Sequence, residues 1–414
     1  MNQLTWQRPN KTEEYAWEAI DRLQLSCKSI RFFRYPWASW IDKTRDSYTI
    51  GIPKDGQTFN GITATVCQHI DALKHIYQFK ECGITDLFWS HATHCSNYCE
   101  GVRIHPFPLY PVRCSDYVNA DHIKASDRLL LYSFQGAYQP DLYICSVRAW
   151  IAKLPDQENA IVRQTDEWHF EQVVYREQVH DQLPDPIRHQ QLKRNADFYV
   201  ELMRKSVFAL CPSGSGPNSI RLWEALGFGA IPVILSDRLR LPGDPSLWKQ
   251  AAVFVPEEEE AVMKLPELLG SLSSSRDLLN SMQKAGALLY RRYGIPLFCS
   301  DLVRFHEDPD GFLLSQSIKR LSGNCVLNSN ESPADPIIIS SSDSSTLPKN
   351  LMKVLRGAQS DLSLIIQVIS NDPLPLINAR WRSSIKLCKT LIGESGIQNW
   401  AVSSRSPDIE LLTR

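Results

Sequence analysis

The sequence predicts an α/β protein with two Rossmann-like lobes, each built on a parallel sheet and facing a central cleft. Short β-branched runs alternate with helical runs from about residue 61 onward, and they do so in two separate series. A glycine-rich turn, "CPSGSGPNSI", joins a buried strand of the second series to a helix. Such alternation is typical of βαβ units, and 414 residues are enough for two or three domains.

The first series supplies the N-terminal lobe, which we place at residues 1–122 and assign to the acceptor. "GITATVCQHI" and "ITDLFWSH" predict buried strands, and "DALKHIYQFKECG" between them predicts a helix ending at Gly83. "VRIHPFPLYPV" predicts an extended run, because its prolines disfavour helix. The first 60 residues, which include the aromatic stretch "RFFRYPWASW", show little periodicity in their apolar residues.

The second series begins near Arg128 and supplies a lobe at residues 123–325. Strands are predicted in "RLLLYSFQGAY", "AIVRQTD", "VFALCPSG" and "AIPVILS", and helices in "ICSVRAWIAKL", "DFYVELMRKS" and "PNSIRLWEALGFG". "VPEEEEAVMKLPELLGSL" predicts a helix that begins at Pro256, with glutamates at its positive end. Residues 326–414 form an extension of unknown role, in which "DLSLIIQVI" and "RWRSSIKLCKTLI" regain order.

Composition excludes several classes of partner. A net charge of −1 argues against a broad basic surface for nucleic acid or anionic lipid. No apolar run reaches the ~18 residues of a membrane span, and the N-terminus lacks the pattern of a signal peptide. The eleven cysteines form no regular framework, which favours reduced thiols and a cytoplasmic location. Peripheral contact with a membrane stays open.

The glycine-rich turn predicts an anion site. Gly214 and Gly216 permit a tight turn and close backbone approach, and Pro217 suits the first helical position. The free N–H groups at such a helix start bind phosphate well. Three polar residues of the turn can cap the helix or bond the ligand: Ser215, Asn218 and Ser219.

Arg221 is the unusual residue of this stretch. A cation in the first turn of a helix faces the positive end of the helix dipole, which is unfavourable unless an anion lies beside it. Glu224, three residues further on, shares the same face and can accept two hydrogen bonds from a ribose diol. The alternative is an exposed i,i+3 pair between Arg221 and Glu224, worth only ~0.2–0.5 kcal/mol.

The segment from Tyr199 to Asp237 resembles the exostosin family of glycosyltransferases, and the similarity extends over roughly residues 126–300. The resemblance implies a GT-B fold and inverting transfer, without a metal cofactor, from a nucleotide sugar that is most often UDP-linked to a glycan or lipid-linked glycan acceptor. The matching positions are Ser219, Arg221, Glu224, Ala225, Leu226, Gly229, Pro232 and Val233.

The same resemblance implies roles for individual residues in the donor site. Glu224 would hold the ribose, Arg221 and Ser219 the diphosphate, and Gly136 would line the facing loop. Arg148, in "SVRAWI", either reaches a phosphate from the first helix of the lobe or is a surface arginine.

Inverting transfer requires a base that takes a proton from the acceptor hydroxyl. His69 and His91 follow two predicted strands of the first lobe, and residues at the carboxyl ends of parallel strands face the ligand crevice. Both histidines stay open as the base, with Asp86 and Asp71 as carboxylate alternatives.

Two other interpretations compete with an enzyme. The chain could be a non-catalytic protein that binds nucleotide sugars or glycans. It could also be a zinc-stabilised module built on His91, His94, Cys95 and Cys99, but their spacing matches no common zinc motif, so we predict no metal site. Of the eleven tryptophans, Trp89 and Trp168 among them, most are predicted to lie in the core, and one or two could stack on a sugar.

Overall fold

A computed structural model describes residues 4–24, 30–44, 61–117, 123–165, 171–313 and 315–316, together with three strands further on. The chain divides into two compact units, Met1–Val303 and Arg304–Arg414. The predicted lobe boundaries at residues 122 and 325 both lie outside the described residues.

The described helices and strands follow one another in the predicted alternation from residue 62 onward. The helices are α1 Thr12–Leu23, α2 Trp37–Thr44, α3 Ile76–Glu81, α4 Val147–Ala152, α5 Pro186–Lys205, α6 Ile220–Gly227, α7 Pro245–Ala251, α8 Glu259–Met263, α9 Leu265–Ser273, α10 Arg276–Tyr293 and α11 Ser300–Glu307. The strands are β1 Ile30–Phe32, β2 Ile62–Cys67, β3 Asp86–Trp89, β4 Tyr98–Cys99, β5 Val102–Pro106, β6 Leu130–Ala137, β7 Ala160–Thr165, β8 Ser206–Pro212, β9 Ile231–Leu235, β10 Val253–Phe254, β11 Ile337–Ser341, β12 Ser363–Val368 and β13 Asn399–Ser404.

Two five-stranded sheets organise the first unit. The order is β1-β2-β3-β5-β4 in one sheet, where β4 alone runs antiparallel, and β10-β9-β8-β6-β7 in the other, where every pairing is parallel. Strands β8 and β9 are buried along their whole length, as strands covered on both faces must be. The predicted α/β fold of the GT-B type is confirmed, with two sheets that are parallel except for the edge strand β4.

Each sheet has its own apolar core. The second sheet is covered by two clusters, one around Trp223 and Trp248 and the other around Phe208 and Ile151. The first sheet packs on a cluster of buried residues. This cluster includes several aromatic residues of the N-terminal region, Trp37 among them. Residues at the ends of the strands in both sheets are therefore held by closely packed cores.

The second unit contains a three-stranded parallel sheet of order β11-β12-β13. Strand β12 lies in the stretch "DLSLIIQVI", so the order predicted for that stretch is confirmed. The run "RWRSSIKLCKTLI" lies outside the described residues. No described helix combines the length and the apolar character that a membrane span needs.

Several predicted helix boundaries are wrong. The helix predicted from Pro256 begins at Glu259 and ends at Met263, and a second helix starts at Leu265, because Pro266 suits the first turn of a new helix. Helix α5 is about twice as long as predicted. It starts at Pro186, where the Asp185 side chain caps it by accepting the N–H of Ile187 at 2.9 Å.

Candidate active site

The carboxyl ends of the two sheets meet at the glycine-rich turn. His91 and Ser90 follow β3 of the first sheet, and the turn at residues 213–219 follows β8 of the second. The Asn218 N–H donates to His91 Nδ1 at 3.4 Å, and the Asn218 side-chain amide donates to the Ser90 carbonyl at 2.6 Å. A second contact joins the Arg240 N–H to the Ala92 carbonyl at 2.9 Å. The two lobes are thus in direct contact beside the predicted donor site.

Gly216 and Asn218 serve this contact in the structure. A Cβ at Gly216 would lie 2.5 Å from His91 Nδ1 and 2.8 Å from Ile70 Cγ2, so the missing side chain makes room for the first lobe. The Asn218 side chain is also bonded through its oxygen, which accepts the Trp223 indole N–H at 3.0 Å. Direct bonds from these two residues to a ligand stay a prediction. The N–H and side-chain amide of Asn218 already have partners within the protein.

We expect Gly216→Ala to destabilise the protein by about 1–3 kcal/mol, because the added methyl group overpacks the contact with His91 and Ile70. The matched control is Gly270→Ala in α9, where no atom lies within 4 Å of the added methyl group. That control should be neutral or stabilising, since alanine favours helix over glycine. Urea denaturation measures both variants, and equal stability of the two would contradict the packing argument.

The start of α6 differs in detail from the sequence prediction. Ser219 is the N-cap residue and Ile220 the first helical residue, so Pro217 lies before the helix rather than in its first turn. The Ser219 side chain makes no capping hydrogen bond. Ser215 and Ser219 are both half-buried. The two hydroxyl groups therefore border the turn, where a ligand can reach them.

Arg221 is buried, with an exposed fraction of 7%. Its Nη2 donates to the Gln135 carbonyl at 2.5 Å, and its guanidinium carbon lies 4.5 Å from the Phe134 ring centroid and 5.4 Å from that of Tyr199. Within the described part of the chain, its Nε and Nη1 have no hydrogen-bond partner. Two donors of a buried cation are thus left for a ligand.

Arg148 lies beside Arg221 and is also buried, so the surface-arginine alternative is wrong. It donates to the carbonyls of Ser213 at 3.0 Å and Ala137 at 3.1 Å. A Cβ at Gly136 would lie 3.1 Å from Arg221 Nη2 and 3.2 Å from Arg148 Nη1, so both guanidinium groups border this glycine. Burial lowers the pKa of Arg148 to about 10, and the charge of Arg221 acts in the same direction.

The pair of arginines leaves positive charge without compensation. Among the described residues, neither guanidinium forms an ion pair with a carboxylate. Two buried like charges a few ångströms apart are costly unless an anion neutralises them. The arrangement can bind a diphosphate and stabilise the charge that develops when it leaves.

Glu224 is fully buried one turn along α6. Its Oε2 accepts the Tyr199 hydroxyl at 2.8 Å, and its Oε1 accepts the Arg113 N–H at 3.0 Å. Burial raises the pKa of this carboxyl group. The exposed Arg221–Glu224 pair is therefore wrong, since both side chains are buried and no ion pair joins them. The ribose role stays a prediction, which would use the remaining lone pairs of the carboxylate.

His69 lies at the carboxyl end of β2 and has a carboxylate partner. Its Nδ1 accepts the Asp71 N–H at 3.0 Å, which places the proton on Nε2, and Nε2 lies 3.1 Å from Asp42 Oδ1. Asp42 also accepts from Gln7 Nε2 at 2.5 Å and from the Tyr175 hydroxyl at 3.3 Å. The three donors fix the carboxylate against the imidazole. Sequence analysis missed this residue, which lies 27 positions before His69.

His91 has a different environment. Burial lowers its pKa to about 3, and the neighbouring His69 adds to the shift. With the Asn218 N–H directed at Nδ1, the ring is neutral and holds the two lobes together. A histidine with so low a pKa is a weak proton acceptor, so this geometry favours His69 over His91 as the base.

Asp86 and Asp71 are less suited than His69 to act as the general base. Asp86 begins β3, at the opposite end of the strand from the cleft, and both oxygens accept from Arg103, at 2.7 and 2.6 Å. Burial acts to raise the pKa of Asp86, but its bonds to His105 and Arg103 together hold that pKa well below the usual range. Asp71 pairs with Lys74 at 2.8 Å. The structure thus brings His69, but not Asp86, to the cleft edge.

The residues of the zinc alternative do not converge. No group of three or more His, Cys, Asp or Glu residues able to hold a metal occurs among the described residues. The cysteines described are all free thiols, and Cys95 is exposed. Trp89 is a core residue whose indole N–H donates to the His69 carbonyl at 2.8 Å, whereas Trp168 lies outside the described residues.

The GT-B type of fold and the paired arginines are those of a glycosyltransferase, and comparison with known families agrees. Residues 69–272 match the model of the Exostosin GT47 domain, so this part of the chain is similar to the exostosin GT47 family of glycosyltransferases. The resemblance predicted from "SIRLWEALGFGAIPV" is thereby confirmed.

Individual relatives are plant proteins. The chain is 38% identical over 135 residues to a protein of Oryza sativa subsp. japonica named "Probable glucuronosyltransferase", covering 30% of this chain and 32% of the relative. A second rice protein of the same description is 49% identical over 75 residues, 18% of each chain. "Probable beta-1,4-xylosyltransferase IRX10" of Arabidopsis thaliana is 35% identical over 114 residues, 27% of each chain. These matches span at most about a third of the relatives.

Proposed function

We propose that this protein is an inverting glycosyltransferase that transfers a sugar from a nucleoside-diphosphate donor, UDP-linked, to a hydroxyl group of a glycan or lipid-linked glycan. One observation carries the proposal. Arg148 and Arg221 are buried side by side without an acidic partner, and two donors of Arg221 are unsatisfied in the described part of the chain. A diphosphate supplies the negative charge and the acceptors that this arrangement requires.

The reaction follows from the two sheet edges. Arg148 and Arg221 neutralise the diphosphate leaving group as its bond to the sugar breaks, which is the work that a metal ion does in other transferases. The acceptor oxygen forms the new bond to the sugar from the opposite face and gives its proton to a base on the first lobe. His69 is the base that we favour, because Asp42 lies 3.1 Å from its Nε2 and stabilises the imidazolium that forms.

The names of the relatives guide the choice of donor. Two rice proteins are described as glucuronosyltransferases and the Arabidopsis protein as a xylosyltransferase, so UDP-glucuronate and UDP-xylose are the donors to test first. We further propose a role in the synthesis of a surface polysaccharide, because the resemblance implies a glycan acceptor. The cytoplasmic location remains a prediction.

We expect UDP to stabilise the protein against thermal unfolding more than GDP or CMP does, and to do so in excess EDTA. Ligand at 100 times its dissociation constant should add about 2.7 kcal/mol to the free energy of unfolding. Scanning fluorimetry with the three nucleotides measures the effect. Absence of stabilisation by every nucleoside diphosphate would overturn the proposal. Stabilisation by UDP without transfer from either UDP-sugar to oligosaccharide acceptors would favour the non-catalytic alternative.

A further inference from the structure

Tyr143 borders the paired arginines from the loop between β6 and α4. Its ring centroid lies 4.3 Å from the guanidinium carbon of Arg148, and the ring of Tyr138 stacks on it at 6.2 Å and 12°. A Cβ at Gly214 would lie 3.9 Å from the Tyr143 ring, so the ring also lies against the glycine-rich turn. Three separate contacts thus fix the orientation of this side chain.

The hydroxyl group of Tyr143 is buried and has no hydrogen-bond partner among the residues described. Burial raises the pKa of Tyr143, and the charges of both Arg148 and Arg221 act in the opposite direction, so the hydroxyl lies in the field of both cations. An anion held by the two arginines would supply the acceptor that this buried donor lacks, and a buried donor left without one is unfavourable.

The three unsatisfied donors belong to one locality. Arg221 contributes Nε and Nη1, and Tyr143 contributes its hydroxyl. Arg148 lies between them, since a Cβ at Gly136 would contact both Arg221 and Arg148, and a Cβ at Gly214 would contact both Arg148 and Tyr143. Other buried tyrosine hydroxyls without a partner, such as that of Tyr132, are in the apolar core rather than at the paired arginines. The combination of a free hydroxyl with uncompensated cations singles out Tyr143.

We propose that Tyr143 is a third donor to the diphosphate, giving a hydrogen bond from its hydroxyl to a phosphate oxygen that Arg148 and Arg221 also hold. This rests on the proposed function, since it names one more residue of the same donor site. Through the stack on Arg148, the ring also fixes the guanidinium that faces the ligand. Tyr143 is a binding residue in this assignment and takes no part in proton transfer.

The test compares Tyr143→Phe with Tyr132→Phe by isothermal titration calorimetry, using UDP and uridine as ligands. Both variants remove one buried hydroxyl without a partner, but only the first removes it from the arginine pair. We expect Tyr143→Phe to weaken UDP binding at least tenfold, because a hydrogen bond to a charged group is lost, and to leave uridine binding unchanged. Tyr132→Phe should bind both ligands as the unmodified protein does. Without ligand, the melting temperature of Tyr143→Phe should be equal or higher.

Each other outcome has a distinct meaning. If the unmodified protein binds UDP and Tyr143→Phe binds it equally well, the assignment of Tyr143 is wrong and the proposed function stands. If Tyr143→Phe melts well below the unmodified protein without ligand, its hydroxyl is bonded within the fold and the assignment is overturned. If the unmodified protein binds no nucleoside diphosphate, the proposed function itself fails.

Discussion

Arg221→Met should reduce UDP affinity by about 100-fold or more while leaving the unliganded protein at least as stable as before. Binding falls because two charge-assisted hydrogen bonds to the diphosphate are lost, each worth roughly 1.5–3 kcal/mol. Stability is kept because the methionine fills the space between Phe134 and Tyr199, and removal of a buried cation without an acidic partner outweighs the one hydrogen bond lost to the Gln135 carbonyl. Calorimetry with UDP and thermal unfolding without ligand measure the two effects separately.

The control for this prediction is Arg128→Met. Arg128 is also buried, but each of its nitrogens donates to a main-chain carbonyl, among them Met203 at 3.0 Å and Phe228 at 2.6 Å. Its replacement should lower the melting temperature, because the carbonyls lose their donors, and the folded fraction should bind UDP normally. If Arg221→Met behaved like Arg128→Met, losing stability rather than affinity, the anion site would be wrong.

His69→Ala should lower kcat by about 10²–10⁴-fold and leave the dissociation constant of UDP unchanged. Loss of a general base costs that much in rate, and the donor is held by the other lobe. In the structure, Nδ1 of His69 accepts the Asp71 N–H at 3.0 Å. The acceptor hydroxyl must take the place of this N–H before its proton can move to Nδ1. Steady-state transfer assays with the donor found by the nucleotide panel measure the effect.

Two further variants separate catalysis from positioning. Asp42→Asn keeps the shape of the carboxylate but not its charge, and we expect it to lower kcat with little change in the KM for either substrate. His91→Ala removes the contact with Asn218 and should act on stability and KM more than on kcat. A rate near that of the unmodified protein for His69→Ala, with a large loss of kcat for His91→Ala, would reverse the assignment of the base.

The sheets could be predicted from sequence because their central strands are buried and are separated by helices with a clear apolar face. The first two helices could not. Helix α1 buries Thr12 and Glu13 along with its apolar residues, and α2 buries Ser39 and Asp42, so polar residues interrupt the expected period. These side chains are inside because they bond to other buried groups, as Glu13 does to the N–H groups of Ala38 and Gln68.

Residues of the candidate site could be predicted only where their own position in a helix or turn is unusual. Arg221 stands out because a cation at a helix start is unfavourable without an anion. Tyr199 donates to Glu224 across 25 positions of sequence, and Asp42 reaches His69 across 27. Neither partner has a spacing that links it to the site, since tertiary folding alone brings them together. The sequence predicts correctly that Gly216 permits a close approach to the backbone. The group that approaches it in the structure is His91, not a phosphate.

The contact between His91 and Gly216 also limits how this protein can vary. A side chain at position 216 would meet the imidazole at 2.5 Å, so a larger residue there needs a smaller one at position 91. Asn218 bonds the same strand end through Ser90, which ties a third position to the pair. Substitutions in the glycine-rich turn therefore require matching substitutions at the end of β3. Neither lobe can change its sequence independently at this contact.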